Sequence, residues 1–466
     1  MFWANFLHFY QPPTQKRIWV DRITTEAYRP VLRGLLDHPS ARVTFNINGV
    51  LLDLWEEFGH KDVIEMVGQL LDKKQIELTG SAKFHPLLPK IPVEEIKRQI
   101  ELNALTIKKY FGEYQPRGFF PPEMAYDAVV AKVAKEMGFS WIIAEELSHP
   151  GKVAYDRIYQ DQETGITLFF RERETSYKIL SGQLGTDRLF LEALGARVWK
   201  NEYLLTAMDG ETFGHHRPGM DRALMELLSL EAVPTVLISE LPEKFPQVEK
   251  VAPRPSTWAL MEKDLEKKVP FARWDDPDNE IHHLQWELTD LAIKTVNESV
   301  HRVIGSSVRL NEQMINDQIN RSDQMQWEKA RLMLDRALHS DQYWWASARP
   351  WWSLEMIERG AFELKETVLA ISDAADEIKK KAQELYYSII TTGFAWQRSG
   401  KVEELAQSED EEVRMHTDAA LPGLPKEEVK KMVAHLEEEL KEVTGNREFE
   451  RAALLRDRIK ELSEYL

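Results

Sequence analysis

The chain contains no cysteine, so disulfides, thiolate metal sites and cysteine nucleophiles are excluded, and the composition suits a reducing compartment. No apolar run in it approaches the ~20 residues that cross a bilayer. Met1–Phe9 is apolar but has neither a basic flank nor a small-residue cleavage site, so it does not read as a signal peptide. Basic residues are in deficit. Against 77 Asp and Glu stand 60 Lys and Arg, a net charge of −17 that repels a phosphate backbone and argues against nucleic acid as a general partner. No phosphate-cradling glycine loop, Gly-x-Ser-x-Gly elbow or dinucleotide fingerprint occurs. A soluble, cytoplasmic protein is expected, with no membrane partner.

What is present is an ordinary globular composition, 43% hydrophobic and 29% charged over 466 residues. At roughly 150 residues per domain the length suggests two to four domains. The 14 Trp, 13 Tyr and 19 Phe supply flat apolar faces of the kind on which sugar rings stack, although most are expected in the core.

Up to about residue 240, short β-type runs alternate with amphipathic helical patterns. Strands are expected at Phe2–His8, Arg42–Asn46, Gln75–Thr79, Arg117–Phe120, Trp141–Ala144, Thr167–Phe170, Tyr203–Met208 and Thr235–Ser239. Helices are expected at Gly49–Phe58, Lys61–Lys73, Pro92–Tyr110, Tyr126–Met137 and Pro218–Leu230. Such alternation predicts an α/β fold, a parallel sheet covered by helices, and seven or eight units favour a closed or nearly closed barrel. We therefore expect a barrel domain over 1–253, then a mixed segment and a helical bundle over 254–400 that contributes to the active-site cleft. A polar, acidic linker is expected over 401–425 and a helical hairpin over 426–466. In the hairpin, Val429, Met432, Val433, Leu436, Leu440 and Val443 form one apolar stripe, and Phe449, Ala452, Leu455, Ile459 and Leu462 a second.

In an alternating barrel the reacting groups lie where strands run into their following loops. Those positions hold His8 and Gln11, Asn46 and Asn48, Glu77 with His85 shortly after, Glu123, Glu145 and Glu146, and Asp209 with Glu211. Glu145 and Glu146 are expected as solvated loop charges. Glu77 stands mid-strand, where a buried carboxylate paired to an Arg or Lys and a substrate contact are both open. Glu123 follows two prolines in a rigid loop, and Asp209 is aimed by its strand into the barrel mouth, so both read as functional. Paired carboxylates suit glycosidic bond cleavage, in which one protonates the leaving oxygen while the other attacks the anomeric carbon or activates water. No cofactor is needed. His215-His216 and His282-His283 are adjacent pairs that rarely face one ion, and no His-x-Asp or His-x-x-x-His follows the first strand, so no metal is expected.

Taken in order, these motifs resemble glycoside hydrolase family 57. His8-Phe9-Tyr10-Gln11-Pro12 is similar to the family's His-x-His-Gln-Pro, with Tyr10 where the second His belongs. Glu77-Leu78-Thr79-Gly80 continuing to His85–Pro89, Phe119–Glu123 and Met208–Glu211 resemble its second, third and fourth regions. Ser256-Thr257-Trp258, with Trp274–Pro277 and Asn279–His282, resembles the fifth, and Ser340–Trp345 its helical-domain signature Ser-Asp-x-x-Trp-Trp. The resemblance implies a (β/α)7 barrel and retaining chemistry on α-glucans, by hydrolysis or glucanotransfer, with Glu123 as nucleophile and Asp209 as acid/base. It further implies substrate contacts from His8, Gln11, Glu77, His85, Glu211, Trp258, Trp274 and His282. Two other classes stay open: a metal-dependent carbohydrate deacetylase or α-mannosidase-like enzyme, and a non-catalytic glucan-binding scaffold.

The tail Glu448–Leu462 is similar to the UVR motif of the UvrB and UvrC excision-repair proteins, a helical hairpin that pairs with another copy of itself. Two readings stand, a plain hairpin packed on its own protein and one that captures a protein partner or a second copy. The hairpin is expected to be dispensable for the chemistry.

Overall fold

Apolar strands joined by amphipathic helices can satisfy their backbones and bury both faces only as a parallel sheet under a helical cover. The computed structural model, which describes residues 1–304, 321–407, 424–446 and 448–466, has that arrangement. Its described strands are β1 Phe2–Phe9, β2 Val43–Ile47, β3 Ile76–Leu78, β4 Gly118–Phe119, β5 Trp141–Glu145, β6 Ile158–Asp161, β7 Thr167–Arg171, β8 Tyr203–Asp209 and β9 Val248–Val251. One parallel sheet has the order β3-β2-β1-β8, and a second runs β4-β5-β7 before extending through antiparallel β6 to β9.

Two seams close these sheets into a ring. At the first, Gly80 N donates to Gly118 O at 2.8 Å and Phe120 N donates to Gly80 O at 2.9 Å. At the second, Glu172 N just beyond β7 donates to Leu205 O of β8 at 2.7 Å. The ring β1-β2-β3-β4-β5-β7-β8 is the seven-stranded (β/α)7 barrel, with the Phe6 and Phe120 rings meeting at 5.0 Å inside it.

An eighth strand over Thr235–Ser239 does not form. Thr235 alone pairs with Trp3, and a 3₁₀ turn follows at Ile238–Glu240. Ser239 N there donates to the Glu77 carboxylate instead of to a strand. β9 escaped the sequence reading because Val248-Glu249-Lys250-Val251 exposes most of its length and offers no apolar run. The helices Gly49–Phe58, Lys61–Asp72, Val93–Phe111, Ala128–Glu136 and Met220–Leu228 lie where periodicity put them. Local chemistry sets their ends. The Asp127 carboxylate accepts from Val130 N at the start of one, and Gly59, at φ 92°, ends another in the left-handed conformation that lacks a penalty only for glycine.

The chain divides into two compact units. The first takes Met1–Lys83, Pro92–Trp258 and Glu412–Leu466; the second takes Phe84–Ile91 and Ala259–Glu411. The second unit contains the helices Glu280–Ile304, Arg321–Ala337, Leu354–Leu369 and Asp376–Ser399. Its aromatic knot is a run of stacks, Trp286 on Tyr343 at 4.1 Å and Trp344 on Trp351 at 4.3 Å. Of the expected linker, 401–407 is helical and 408–423 lies outside the described residues. No described helix is long and apolar enough to cross a membrane.

The hairpin helices Lys426–Gly445 and Phe449–Ser463 share a core of Val429, Met432, Leu436, Val443, Leu455 and Leu462. They are seated on the barrel of their own chain. Thr186 Oγ1 donates to Glu428 Oε2 at 2.7 Å, and Arg451 lies 2.8 Å from the Asp221 carboxylate.

The first seam needs residues without side chains. A Cβ on Gly80 would stand 2.3 Å from Phe139 Cε1, and one on Gly118 2.1 Å from Trp141 Cζ2. Gly80→Ala is expected to lower the unfolding free energy by about 1–3 kcal/mol through overpacking. Gly68→Ala, where a Cβ meets nothing within 4 Å on a helix, is expected to be neutral or stabilising. Urea midpoints of the two variants check this, and equal midpoints would contradict it.

Candidate active site

Register brings the site together before any side chain is considered. β1 lies between β2 and β8, and pairing sets His8 opposite both Asn46 and Asp209. His8 Nδ1 and Asn46 Oδ1 hydrogen-bond at 2.8 Å, and Asn46 Nδ2 donates to Thr79 Oγ1 at 3.2 Å. This is one polar layer at the C-terminal end of the ring. Tyr10, standing where the family motif has a histidine, stacks on His8 at 5.9 Å.

Glu77 belongs to the layer below, two residues or roughly 7 Å down the strand from Thr79. Its Oε1 accepts from Thr44 Oγ1 at 2.8 Å and from Ser239 N at 3.1 Å. Burial raises its pKa against those hydrogen bonds. Its hydrogen-bond partners are thus Thr44 and Ser239, and the Arg117 charge also lowers its pKa, so the cation of the Arg-or-Lys expectation acts on it through its charge.

Asp209 ends β8 half-buried, and Glu211 follows it fully buried in a 3₁₀ turn, Gly210–Thr212. Gln11 Nε2 donates to Glu211 Oε1 at 2.8 Å and to Tyr28 Oη at 3.0 Å, and the Tyr28 hydroxyl hydrogen-bonds to the same Glu211 oxygen. Both carboxyls are pushed above the usual carboxylate range. For Asp209 the cause is desolvation, opposed by the Arg171 charge; for Glu211 it is desolvation reinforced by Asp209. A carboxyl that keeps its proton at the mouth of a barrel can act as a general acid.

Glu123 is held differently. The chain turns sharply after Pro121-Pro122, and both Glu123 (φ 60°) and Met124 (φ 50°) take left-handed backbone conformations that cost non-glycine residues energy. Trp258 fixes the carboxylate: its indole Nε1 donates to Glu123 Oε2 at 3.0 Å, and its backbone N donates to Glu123 O at 3.1 Å. The Trp258 ring also meets His8 at 5.6 Å. Trp258 is itself tethered, since Tyr177 Oη donates to Trp258 O at 3.3 Å. The Tyr177 ring lies within 4.7 and 4.8 Å of the Arg171 and Arg173 guanidiniums. Both arginines pair with Glu145, Arg173 at 3.1 Å and Arg171 at 3.5 Å. Glu145, expected as a solvated loop charge, is thus fully buried between two cations, and Glu146 accepts from Arg173 N at 2.9 Å.

So the structure brings His8, Gln11, Glu123, Asp209, Glu211 and Trp258 into one neighbourhood of the first unit. His85, Trp274 and His282 lie in the second unit. His85 Nδ1 is 3.1 Å from Ser340 Oγ, and Trp274 stacks on Trp344 at 5.0 Å. His282 accepts from Asp276 N and shares its Nε2 with Tyr343 O at 2.9 Å, so both ring nitrogens are engaged. Burial lowers the pKa of His85 and of His282 to about 4, which leaves both rings neutral. Among the described residues no group of three or more His, Asp or Glu is arranged to hold a metal ion.

Three site residues were missed by the sequence reading. Arg171 ends β7 one residue beyond the expected strand, so the strand-end rule would have found it with a better boundary. Tyr177 sits on the helix Arg173–Leu180, and Tyr28 closes a π-helical turn, Thr24–Tyr28. Neither carries a local signal.

A family model described as Glycosyl hydrolase family 57 matches residues 8–253, and one described as the UvrB/uvrC motif matches residues 430–465. An α-amylase of Pyrococcus horikoshii is 30% identical over 145 residues, 30% of this chain and 22% of that protein. An α-amylase of Pyrococcus abyssi is 24% identical over 254 residues, 51% of this chain and 38% of that protein. The chain thus spans well under half the length of these curated relatives. The solved structure of a GH57-type branching enzyme from Pyrococcus horikoshii superposes with a TM-score of 0.63 at 17% identity, covering 84% of this chain and 94% of that one.

The raised pKa of Asp209 can be read directly. The infrared stretch of its protonated carboxyl, assigned by its loss in Asp209→Asn, is expected to persist above the ordinary Asp titration near pH ~4 and to vanish as pH rises further. Arg171→Met removes the opposing charge and is expected to move that loss to still higher pH. A band already gone at the ordinary pKa would contradict the assignment.

Proposed function

The chain belongs to glycosyl hydrolase family 57, and on that premise we propose that it is a retaining carbohydrate-active enzyme that acts on α-glucans, by hydrolysis or by glucan transfer. The observation that carries this reading is the contrast between two carboxyls at one barrel mouth. Burial pushes the Asp209 carboxyl up to about 6, while Glu123 is fixed by an indole N–H in a strained turn.

In the proposed reaction Asp209 protonates the departing glycosidic oxygen as the Glu123 carboxylate attacks the anomeric carbon, giving a glycosyl–enzyme ester. Asp209, now ionised, then takes a proton from water or from a sugar hydroxyl, whose oxygen attacks the anomeric carbon, breaks its bond to the Glu123 oxygen and frees Glu123 with net retention. Holding Glu123 by an N–H donor and a rigid turn removes rotational freedom that the attack would otherwise have to lose. His8, Gln11 and Glu211 stand beside the acid and Trp258 beside the nucleophile, where hydrogen bonds to sugar hydroxyls and a stacking face are available. Neither step requires a metal, and activity on maltooligosaccharides is expected to survive exhaustive chelation.

The two roles are separable by azide. Glu123→Ala is expected to lose turnover on glucans and to regain it with azide, giving a glycosyl azide of inverted configuration because the anion takes the vacated space. Asp209→Ala is expected to retain the first step on substrates with good leaving groups and to give an azide of retained configuration. Near-normal activity in Glu123→Ala overturns the nucleophile assignment, and inversion in Asp209→Ala means the roles are exchanged.

A further inference from the structure

The C-terminal hairpin lies across two loops, and each leads back to one of the reacting carboxyls. The loop after β7 begins with the helix carrying Tyr177, whose hydroxyl tethers Trp258 and through it Glu123. It folds back on that helix through Ser181 N to Tyr177 O at 2.8 Å and Leu184 N to Lys178 O at 3.2 Å. The hairpin meets it at Gly185, where a Cβ would stand 2.8 Å from Met432 Cε, and at Thr186, whose hydroxyl is bonded to Glu428.

The loop after β8 starts at Asp209 itself. It is cross-braced by His216 N to Glu211 O at 2.8 Å, Arg217 N to Thr212 O at 3.2 Å and Met220 N to Arg217 O at 3.1 Å. The hairpin meets its far end at Gly219, which at φ 83° has a left-handed backbone and would bring a Cβ to 2.2 Å from Leu436 Cδ2. Beside it Arg451 reaches Asp221 at 2.8 Å and Glu439 at 2.6 Å. The seat is therefore keyed as well as greasy. Buried charges are a costly way to cover apolar surface, and they hold only one registry well.

We propose that the hairpin is a positioning element for the reaction, a clamp across the β7 and β8 loops that fixes the supports of Glu123 and Asp209, with Arg451 as its lock. This rests on the retaining mechanism above for its catalytic consequence, but not for its structural one. It reverses the expectation that the hairpin is dispensable for chemistry.

Two full-length variants, each remote from the reacting groups, test it. Arg451→Met removes the cation that bonds both Asp221 and Glu439 and leaves them only the Arg222 charge, and Gly185→Gln wedges Met432 off its seat. In each, amide hydrogen exchange is expected to quicken in 426–446, 181–186 and 210–219 together, and not in β1–β3. On maltooligosaccharides kcat is expected to fall about tenfold to hundredfold, the scale of small misplacements of reacting groups, with KM moving far less. Arg451→Lys, which keeps a cation at the lock, is expected to recover most of kcat. Faster exchange in all three segments with kcat unchanged overturns the proposal, as does unchanged exchange in both variants. If one variant fails to fold, the other decides. If the wild-type chain neither cleaves nor transfers glucans, the reaction assignment fails on its own, and coupled exchange of the hairpin with 210–219 still decides the clamp.

Discussion

Withdrawing Asp209 and Glu211 from water raises the free energy of their ionised forms, and the arrangement of the barrel mouth is a set of responses to that penalty. Tyr28 and Gln11 direct neutral donors at Glu211, so its charge, when present, is met by hydrogen bonds and not by a counterion. Arg171 supplies the opposing charge for Asp209, and being buried itself it needs Glu145, which in turn needs Arg173. The chain of compensation runs sideways around the ring from β8 to β7 to β5. Few single groups in it could be removed without leaving a buried charge unmatched, which is the expensive kind of vacancy.

Glu123 answers to a different constraint. It is half-buried, and its carboxylate is fixed through geometry: a turn after two prolines, an indole donor, and a backbone bond from the same tryptophan. The ring of the tyrosine that steadies Trp258 packs against both guanidiniums that pair with Glu145. The side of the mouth that holds Asp209 and the side that holds Glu123 therefore share a structural element, the start of the helix Arg173–Leu180.

Much of this was legible in sequence because it follows from periodicity. Strand ends point polar residues at a barrel mouth, so His8, Glu123 and Asp209 could be picked out by position alone. Where the reading failed, non-local pairing decided. Thr235–Ser239 is as apolar as a strand, but after the single bridge from Thr235 to Trp3 the amides of Ile238 and Ser239 go to the Thr44 hydroxyl and the Glu77 carboxylate and not to a strand. Glu145 reads as a loop charge until β7 sets Arg171 beside it in register. Tyr28 reaches the site from a helical turn far along the chain from Glu211, and only the closed fold reveals it. The hairpin stripes were visible, whereas the glycines at 185 and 219 that receive them had no meaning until the seat was seen.

The left-handed turn at Glu123 also bears on the history such a chain can have. A glutamate at φ 60° costs of order 1–3 kcal/mol that a glycine there would not. Stability and use therefore pull in opposite directions at this one position. A descendant that ceased to need the carboxylate would become more robust by discarding it, and would face an energetic climb to restore it. Decay here runs downhill, and a glutamate kept in that turn is a residue held against its own backbone.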